Sequence, residues 1–178
     1  MGDTIAAATE PVVLVGHSYG GIATTQAAEY FADRIRKLVF VAAVPVPNGV
    51  AAKDVDADES ALTGHTIQSS DGKVADFDRA FVNEAFYGEC GSDDIALAHM
   101  LMVPEAVAGL MTPVKTSAQC FGRVPHIYIE CVKGRAITLA SQRKLHASLP
   151  CEHVFTPDSD HSPFFSRPDE LTAILAEI

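Results

Sequence analysis

Residues 11–21 of the chain read PVVLVGHSYGG, and this stretch decides the fold. A short β-branched run between a proline and a glycine predicts a strand buried on both faces, as in a parallel sheet. The run ends in residues 16–20 (GHSYG), and a G-x-S-x-G pattern between a strand and a helix is typical of a nucleophile elbow. We expect Ser18 to project from a sharp turn with small residues on both sides, because the tight backbone leaves little room there.

Strands and helices alternate along most of the remaining chain. The apolar pattern predicts further strands at 37–44, 125–131 and 152–156, and helices at 22–31, 139–149 and 168–178. An insertion separates the second and third strands, with helices predicted at 75–86 and 92–101. This order predicts a single α/β domain with a mainly parallel sheet and helices on both faces. Its core spans 1–49 and 124–178, and the helical insertion spans 50–123.

Composition narrows the range of partners. The 178 residues carry 13 Lys and Arg against 23 Asp and Glu, a net charge of −10, which disfavours nucleic acid and anionic membranes as partners. Residues 1–11 lack the basic and apolar regions of a secretory signal, and no apolar run is long enough for a membrane span. The four cysteines lack C-x-x-C spacing, which predicts free thiols, no metal site and a cytoplasmic location.

One histidine stands out as a partner for Ser18. A serine hydroxyl needs a base to take its proton, and seven histidines are available. His161 lies between the last predicted strand and the last helix, at the carboxyl edge of the sheet where ligand sites of α/β proteins collect. It also comes last in the chain, as the order Ser…Asp/Glu…His requires. His17 adjoins Ser18 in sequence but is expected to point away from it on such a turn, so we predict it as a pocket residue rather than the base.

The elbow GHSYGG and the tail DSDHSPFFSRPDEL (158–171), together with PHIYIEC (125–131), resemble the α/β-hydrolases, in the branch that holds plant methylesterases, hydroxynitrile lyases and their bacterial relatives. The resemblance covers nearly the whole chain. It implies Ser18 as nucleophile, His161 as general base and the backbone N–H of Tyr19 as an oxyanion-hole donor. It also implies that the insertion caps the pocket and that no cofactor is needed.

The third member of the catalytic triad is the first departure from this resemblance. The family pattern implies an aspartate in the loop after residues 125–131, aligned near Gly134, but residues 132–137 contain no acid. Glu130 is the nearest carboxylate and is our candidate acid. The aspartates of residues 54–58 are a second source, and the absence of any acid is a third possibility.

The second departure lies ahead of the elbow. Members of this branch carry further strands before the elbow, including the one beside the elbow strand and the loop with the second oxyanion donor, whereas ten residues precede Pro11 here. The elbow strand is therefore expected at an exposed sheet edge, which is an aggregation liability unless another chain covers it. We predict a homodimer through this edge.

These features lead to a serine hydrolase, an esterase acting on a small-molecule ester, as the predicted function. His17, Met102 and Phe164 are predicted to line its pocket, with plain core packing as the alternative for Met102 and Phe164. Two other functions stay open: a non-catalytic ligand-binding or assembly protein on a degraded hydrolase frame, and a lyase of the hydroxynitrile type.

Overall fold

A computed structural model describes residues 1–55 and 61–178 and shows an α/β fold. In chain order its elements are α1 (Gly2–Ala7), β1 (Val12–His17), α2 (Gly20–Phe31), β2 (Ile35–Val41), β3 (Thr66–Gln68), β4 (Val74–Phe77), α3 (Arg79–Phe86), α4 (Ser92–Leu101), β5 (Glu105–Ala106), α5 (Val107–Met111), β6 (His126–Ile129), α6 (Leu139–Ala147), β7 (Cys151–Phe155), α7 (Pro163–Ser166) and α8 (Pro168–Ala176). The main sheet has the order β1-β2-β6-β7, and every neighbouring pair is parallel. The mainly parallel sheet is thus confirmed.

The two faces of this sheet pack against different helices. Side chains alternate along a strand, so Leu38 and Phe40 of β2 face α2, whereas Val39 faces α8. The cluster on the α2 side contains Ala27, Ala28, Leu38, Phe40 and Tyr128, and the cluster on the α8 side contains Val39, Val41, Ile127, Ile129, Leu171 and Ile174. Helices on both faces are therefore confirmed. The central strands β2 and β6 are largely buried, whereas β1, predicted to be buried on both faces, is only partly buried because it lies at a sheet edge.

The insertion differs from its predicted helical content. The helix predicted over 75–86 begins only at Arg79, because Val74–Phe77 forms the central strand of a small antiparallel sheet with the order β3-β4-β5. Asp78 caps the helix by accepting a hydrogen bond from the backbone N–H of Ala80. The cap thus combines helices with a three-stranded sheet.

Other features of the sequence can be compared directly. No helix within residues 1–55 and 61–178 combines the length and apolar character needed to cross a membrane. All four cysteines are free, but only Cys131 is fully buried.

The elbow strand lies at an edge of the main sheet. β1 pairs with β2 on one side and with no other strand of the described residues. Val15, in the middle of β1, is 43% exposed although valine is apolar. An apolar edge strand presents unpaired backbone groups to any second strand that approaches.

We therefore keep the prediction of a homodimer through β1 and expect Val15→Lys to abolish it, because a charged side chain on an edge strand opposes strand pairing. Light scattering should give a mass of about twice 18.9 kDa for the unaltered chain. Tyr30→Lys, which adds the same charge at a 71% exposed site on α2, should leave the dimer intact. A monomeric mass for the unaltered chain would contradict the prediction.

Candidate active site

Ser18 occupies a strained turn between β1 and α2. Its φ of 53° lies in the left-handed region, which costs a non-glycine residue about 1–2 kcal/mol. Three backbone hydrogen bonds hold this conformation: the Ser18 N–H donates to the carbonyl of Val41 at 3.2 Å, and the Ser18 carbonyl accepts from Gly21 and Val44 at 3.1 Å each. The turn is thus fixed by the end of β2 and the chain that follows it.

The glycines around Ser18 do not all serve the same purpose. A Cβ on Gly16 would lie 2.6 Å from Oγ1 of Thr24, and one on Gly21 would lie 2.7 Å from the carbonyl oxygen of Val44. A Cβ on Gly20 would meet nothing within 4 Å. The expectation of crowding on both sides of the serine therefore holds for Gly16 and Gly21 and is wrong for Gly20.

This difference predicts the effect of two adjacent substitutions. Gly21→Ala should lower the free energy of unfolding by about 1–3 kcal/mol, because the clash is with backbone that cannot rotate away. Gly20→Ala, the matched control, should change it by less than about 1 kcal/mol. Urea unfolding of both variants checks this, and equal stability of the two would contradict it.

His161 lies in the loop between β7 and α7 and is completely buried. Its ring packs against those of His17 and Phe86, at centroid distances of 4.7 Å and 5.3 Å. Neither ring nitrogen has a hydrogen-bond partner among the described residues. Burial, with a smaller contribution from His17, holds the pKa of His161 well below its ordinary value. The ring is therefore a neutral imidazole at neutral pH.

The burial of His161 predicts that the free energy of unfolding decreases as the pH falls. Below pH 6.5 the unfolded chain binds a proton that the folded chain excludes, so the free energy of unfolding should decrease as pH falls, by up to about 1.4 kcal/mol per pH unit for each such group. His17 and His126, whose pKa values burial also lowers, add to this slope.

The variant His161→Gln should show a shallower slope of unfolding free energy between pH 6.5 and 5. His153→Gln, at an exposed position on β7, is the control and should keep the original slope. If both variants matched the unaltered chain, the buried imidazole at position 161 would not be the source.

Asp160 fixes the loop that carries His161. Its Oδ1 accepts hydrogen bonds from the backbone of Ser162 at 3.0 Å and from Oγ of Ser166 at 2.7 Å. Its Oδ2 accepts from the backbone of Glu89 at 2.9 Å and from Sγ of Cys90 at 3.3 Å. This buried carboxylate therefore joins the loop of His161 to the end of α7 and to the cap.

Glu130, our candidate acid, makes no hydrogen bond to His161 in the structure, because its carboxylate is engaged by other groups. Its buried carboxylate accepts hydrogen bonds from Arg143, His146 and Thr156, at distances of 3.0 to 3.3 Å. Burial alone would raise its pKa, but the hydrogen bonds from Arg143 and His146 outweigh this and hold the pKa below its usual value. Glu130 therefore links α6 to the end of β7 through its hydrogen bonds, and it makes none to His161.

Gly134 stands where the resemblance implies an aspartate, and neighbouring atoms leave no room there for a side chain. A Cβ on Gly134 would lie 2.8 Å from Nε2 of Gln142 and 2.9 Å from the carbonyl oxygen of Ile137. The Gln142 amide is fully buried and bonds to the backbone of Cys131 and Ile137. A larger residue at position 134 would therefore displace this amide.

Of the aspartates of residues 54–58, our second candidate source of an acid, Asp54 alone belongs to the described residues. Asp54 pairs with its neighbour Lys53 at the surface. Asp56 and Asp58 lie outside the described residues. No carboxylate of the described residues hydrogen-bonds to His161.

Ser18 opens into a cavity of about 520 Å³ between the carboxyl ends of the strands and the cap. The structure brings Ser18 and all the predicted pocket residues together here, since His17, Tyr19, Met102 and Phe164 line the same cavity. Ser162, next to His161, lines it too. Within the described part of the chain, no cluster of His, Cys, Asp and Glu is suited to hold a metal ion.

His17 has a defined position behind Ser18. Its Nε2–H donates to the backbone carbonyl of His161 at 2.7 Å, and its ring makes an edge contact with Phe164 at 5.0 Å. Burial lowers the pKa of His17, so its ring is neutral. The proton on Nε2 is therefore the one donated to the His161 carbonyl. His17 therefore orients the loop of His161.

Several cavity residues were not anticipated from the sequence. These are residues of the cap and of the loop after β6, namely Leu62, Thr63, Gly64, Thr66, Phe77, Phe86, Tyr87, Glu105, Ala136 and Ile137. Asp71-Gly72, a turn signal between two short alternating segments, would have indicated the β3–β4 hairpin that brings Thr66 and Phe77 to the cavity. No comparable signal marks Glu105 or Phe86.

A strained serine at a strand-to-helix turn, a histidine loop at the same sheet edge and a cap over both define the α/β hydrolase class of fold. The sequence agrees: residues 2–174 match the model of the Alpha/beta hydrolase family, and the chain belongs to that family.

Curated relatives lie among plant esterases. The chain is 32% identical over 181 residues to Putative methylesterase 13, chloroplastic, from Arabidopsis thaliana, covering 96% of this chain and 41% of that protein. It is 32% identical over 180 residues to Methylesterase 7 from the same plant, covering 95% of this chain and 69% of that protein. The chain thus spans less than half the length of the first of these relatives.

Solved structures share the fold. A pyrethroid hydrolase from Sphingobium faniae JZ-2 superposes with a TM-score of 0.88 at 21% identity, covering 98% of this chain and 73% of that one. The methylesterase protein MES16 from Arabidopsis superposes with a TM-score of 0.82 at 24% identity, covering 99% and 73%. At these identities the likeness extends to the fold alone.

Proposed function

We propose that the protein is a serine esterase in which Ser18 attacks the carbonyl carbon of a small ester. The observation that carries this proposal is the left-handed Ser18, held at the elbow and opening into the cavity bordered by the loop of His161. Membership of a hydrolase family that includes methylesterase relatives supports it. The chemistry uses side chains and water.

In the first half of the proposed reaction, the Ser18 oxygen bonds to the carbonyl carbon while its proton passes to the imidazole of His161. The carbonyl oxygen becomes an oxyanion, which accepts a hydrogen bond from the backbone N–H of Tyr19 at the start of α2, where the helix dipole favours negative charge. The bond to the alcohol then breaks, and His161 returns the proton to the departing alcohol. A water molecule then attacks the acyl carbon while His161 takes a proton from it, and His161 passes that proton to the Ser18 oxygen as the carboxylic acid leaves.

The surroundings of His161 favour its proposed role as a base but lower the expected rate of the reaction. Burial keeps the imidazole neutral with a free lone pair, as a general base requires. The imidazolium that forms during the reaction has no described carboxylate to stabilise it. Loss of the comparable carboxylate interaction in a serine protease lowers turnover by about 10⁴-fold, so we propose a slow esterase.

An activated fluorophosphonate probe should label the protein at Ser18, and Ser18→Ala should abolish both labelling and hydrolysis of a p-nitrophenyl ester. The expected loss of rate is at least about 10³-fold, because the nucleophile itself is removed. Ser92→Ala, on the exposed start of α4, is the matched control and should retain both.

Mass spectrometry of the labelled peptide identifies the modified residue. Labelling elsewhere, or hydrolysis that survives Ser18→Ala, would contradict the proposed nucleophile.

Two observations, one at His161 and one at Gly134, favour a second function, that of a ligand-binding protein without catalysis. The nitrogens of His161 are unpaired among the described residues, and the space near Gly134 is closed by Gln142. A binding protein of this kind would take small ligands into the cavity without Ser18-dependent turnover. The fluorophosphonate experiment separates the two functions.

The cytoplasmic location remains a proposal, supported by four cysteines that form no disulfide. The names of some plant relatives describe those proteins as chloroplastic.

A further inference from the structure

Glu105 is a carboxylate at the rim of the cavity. It belongs to β5 of the cap and lines the same cavity as Ser18 and Gly20. It also lines, with Tyr19, a neighbouring mainly apolar groove of about 280 Å³. Glu105 therefore lies where an extended ligand would pass from the nucleophile into the groove.

No cationic side chain neutralises this carboxylate. Neither the cavity nor the groove has a Lys or Arg in its lining, and Glu105 forms no ion pair with any described residue. Residues 56–60, outside the described part, read DADES and contain no basic residue. The chain carries a net charge of −10, so the surroundings also favour a cation over an anion.

Aromatic side chains surround the same space. Tyr19, Phe77, Phe86, Tyr87 and Phe164 all line the cavity. The faces of aromatic rings attract cations, and rings grouped around a cavity bind quaternary ammonium groups. Tyr19 and Glu105 line both the cavity and the groove, so one of these rings lies close to the carboxylate. Burial, and then the charge of Glu105, raise the pKa of the Tyr19 hydroxyl.

We propose that the cavity binds small molecules carrying an ammonium group, held between the Glu105 carboxylate and these aromatic rings, and that Glu105 thereby selects cationic esters as substrates. The selection of esters rests on the proposed esterase function, whereas the binding of an ammonium group does not. Because Glu105 is exposed at the rim, its contribution is moderate and sensitive to salt.

The first experiment compares two esters of nearly equal shape, acetylcholine and 3,3-dimethylbutyl acetate, in which a neutral tert-butyl group replaces trimethylammonium. The unaltered protein should show the higher kcat/KM for acetylcholine, and Glu105→Gln should lower the ratio of the two values by about three- to fivefold. The ratio should also fall between about 20 mM and 500 mM salt. Glu177→Gln, which removes the same charge from an exposed position after α8, should leave the ratio unchanged.

The second experiment measures binding without turnover, by NMR titration of the Ser18→Ala variant with choline and with 3,3-dimethylbutanol. Choline should bind more tightly, and adding Glu105→Gln should remove most of that difference. A preference for choline without any Ser18-dependent hydrolysis would overturn the esterase proposal and support the ammonium site. Ser18-dependent hydrolysis with equal treatment of the charged and neutral compounds, or a preference that survives Glu105→Gln, would overturn the role of Glu105.

Discussion

The three backbone hydrogen bonds that hold residue 18 in the left-handed conformation are the constraint on which the site depends. They tie the elbow to Val41 and Val44, so the end of β2 sets where the serine stands relative to the sheet. The close approach of Gly21 to the Val44 carbonyl belongs to the same arrangement, since any side chain there would push α2 away from the sheet. The direction of α2, and with it the Tyr19 N–H at its start, follows from this single junction.

The histidine half of the site is held by a different kind of interaction. Asp160 accepts four hydrogen bonds, two from its own loop and α7 and two from the cap, and His17 donates to the carbonyl of His161. The loop is therefore fixed through its backbone and its neighbours, while the imidazole itself has no hydrogen-bond partner in the described part of the chain. The position of the ring is fixed, but no neighbouring charge of the described residues stabilises the imidazolium that would form during the reaction. We therefore expect the protein to keep its binding geometry and to turn over substrate slowly.

How much of this could be predicted follows from the range of the interactions involved. The parallel sheet and the elbow follow from local patterns: PVVLV is uniformly apolar, and Gly16 and Gly21 mark close backbone approaches. The insertion was less predictable, because residues 74–77 form a strand through pairing with β3 and with the distant β5, and the Asp71-Gly72 turn signal before them is easily overlooked. The position of Glu105 at the cavity could not be predicted from the sequence, because it results from the tertiary contacts of a strand of only two residues.

Among the described residues, the lack of a carboxylate bonded to His161 is a matter of geometry rather than of composition. Two buried carboxylates, Glu130 and Asp160, lie at the end of β6 and in the loop of His161, and each is already saturated by donors. A carboxylate whose lone pairs are occupied gains little from a further donor, whereas leaving one of its present donors unpaired costs about 1–3 kcal/mol. Recruiting either residue to His161 would therefore weaken the packing of α6 or of the loop that carries His161. The only ionised carboxylate free of such partners at the cavity is Glu105 among the described residues, and its place at the rim suits recognition of charge better than support of a buried imidazole.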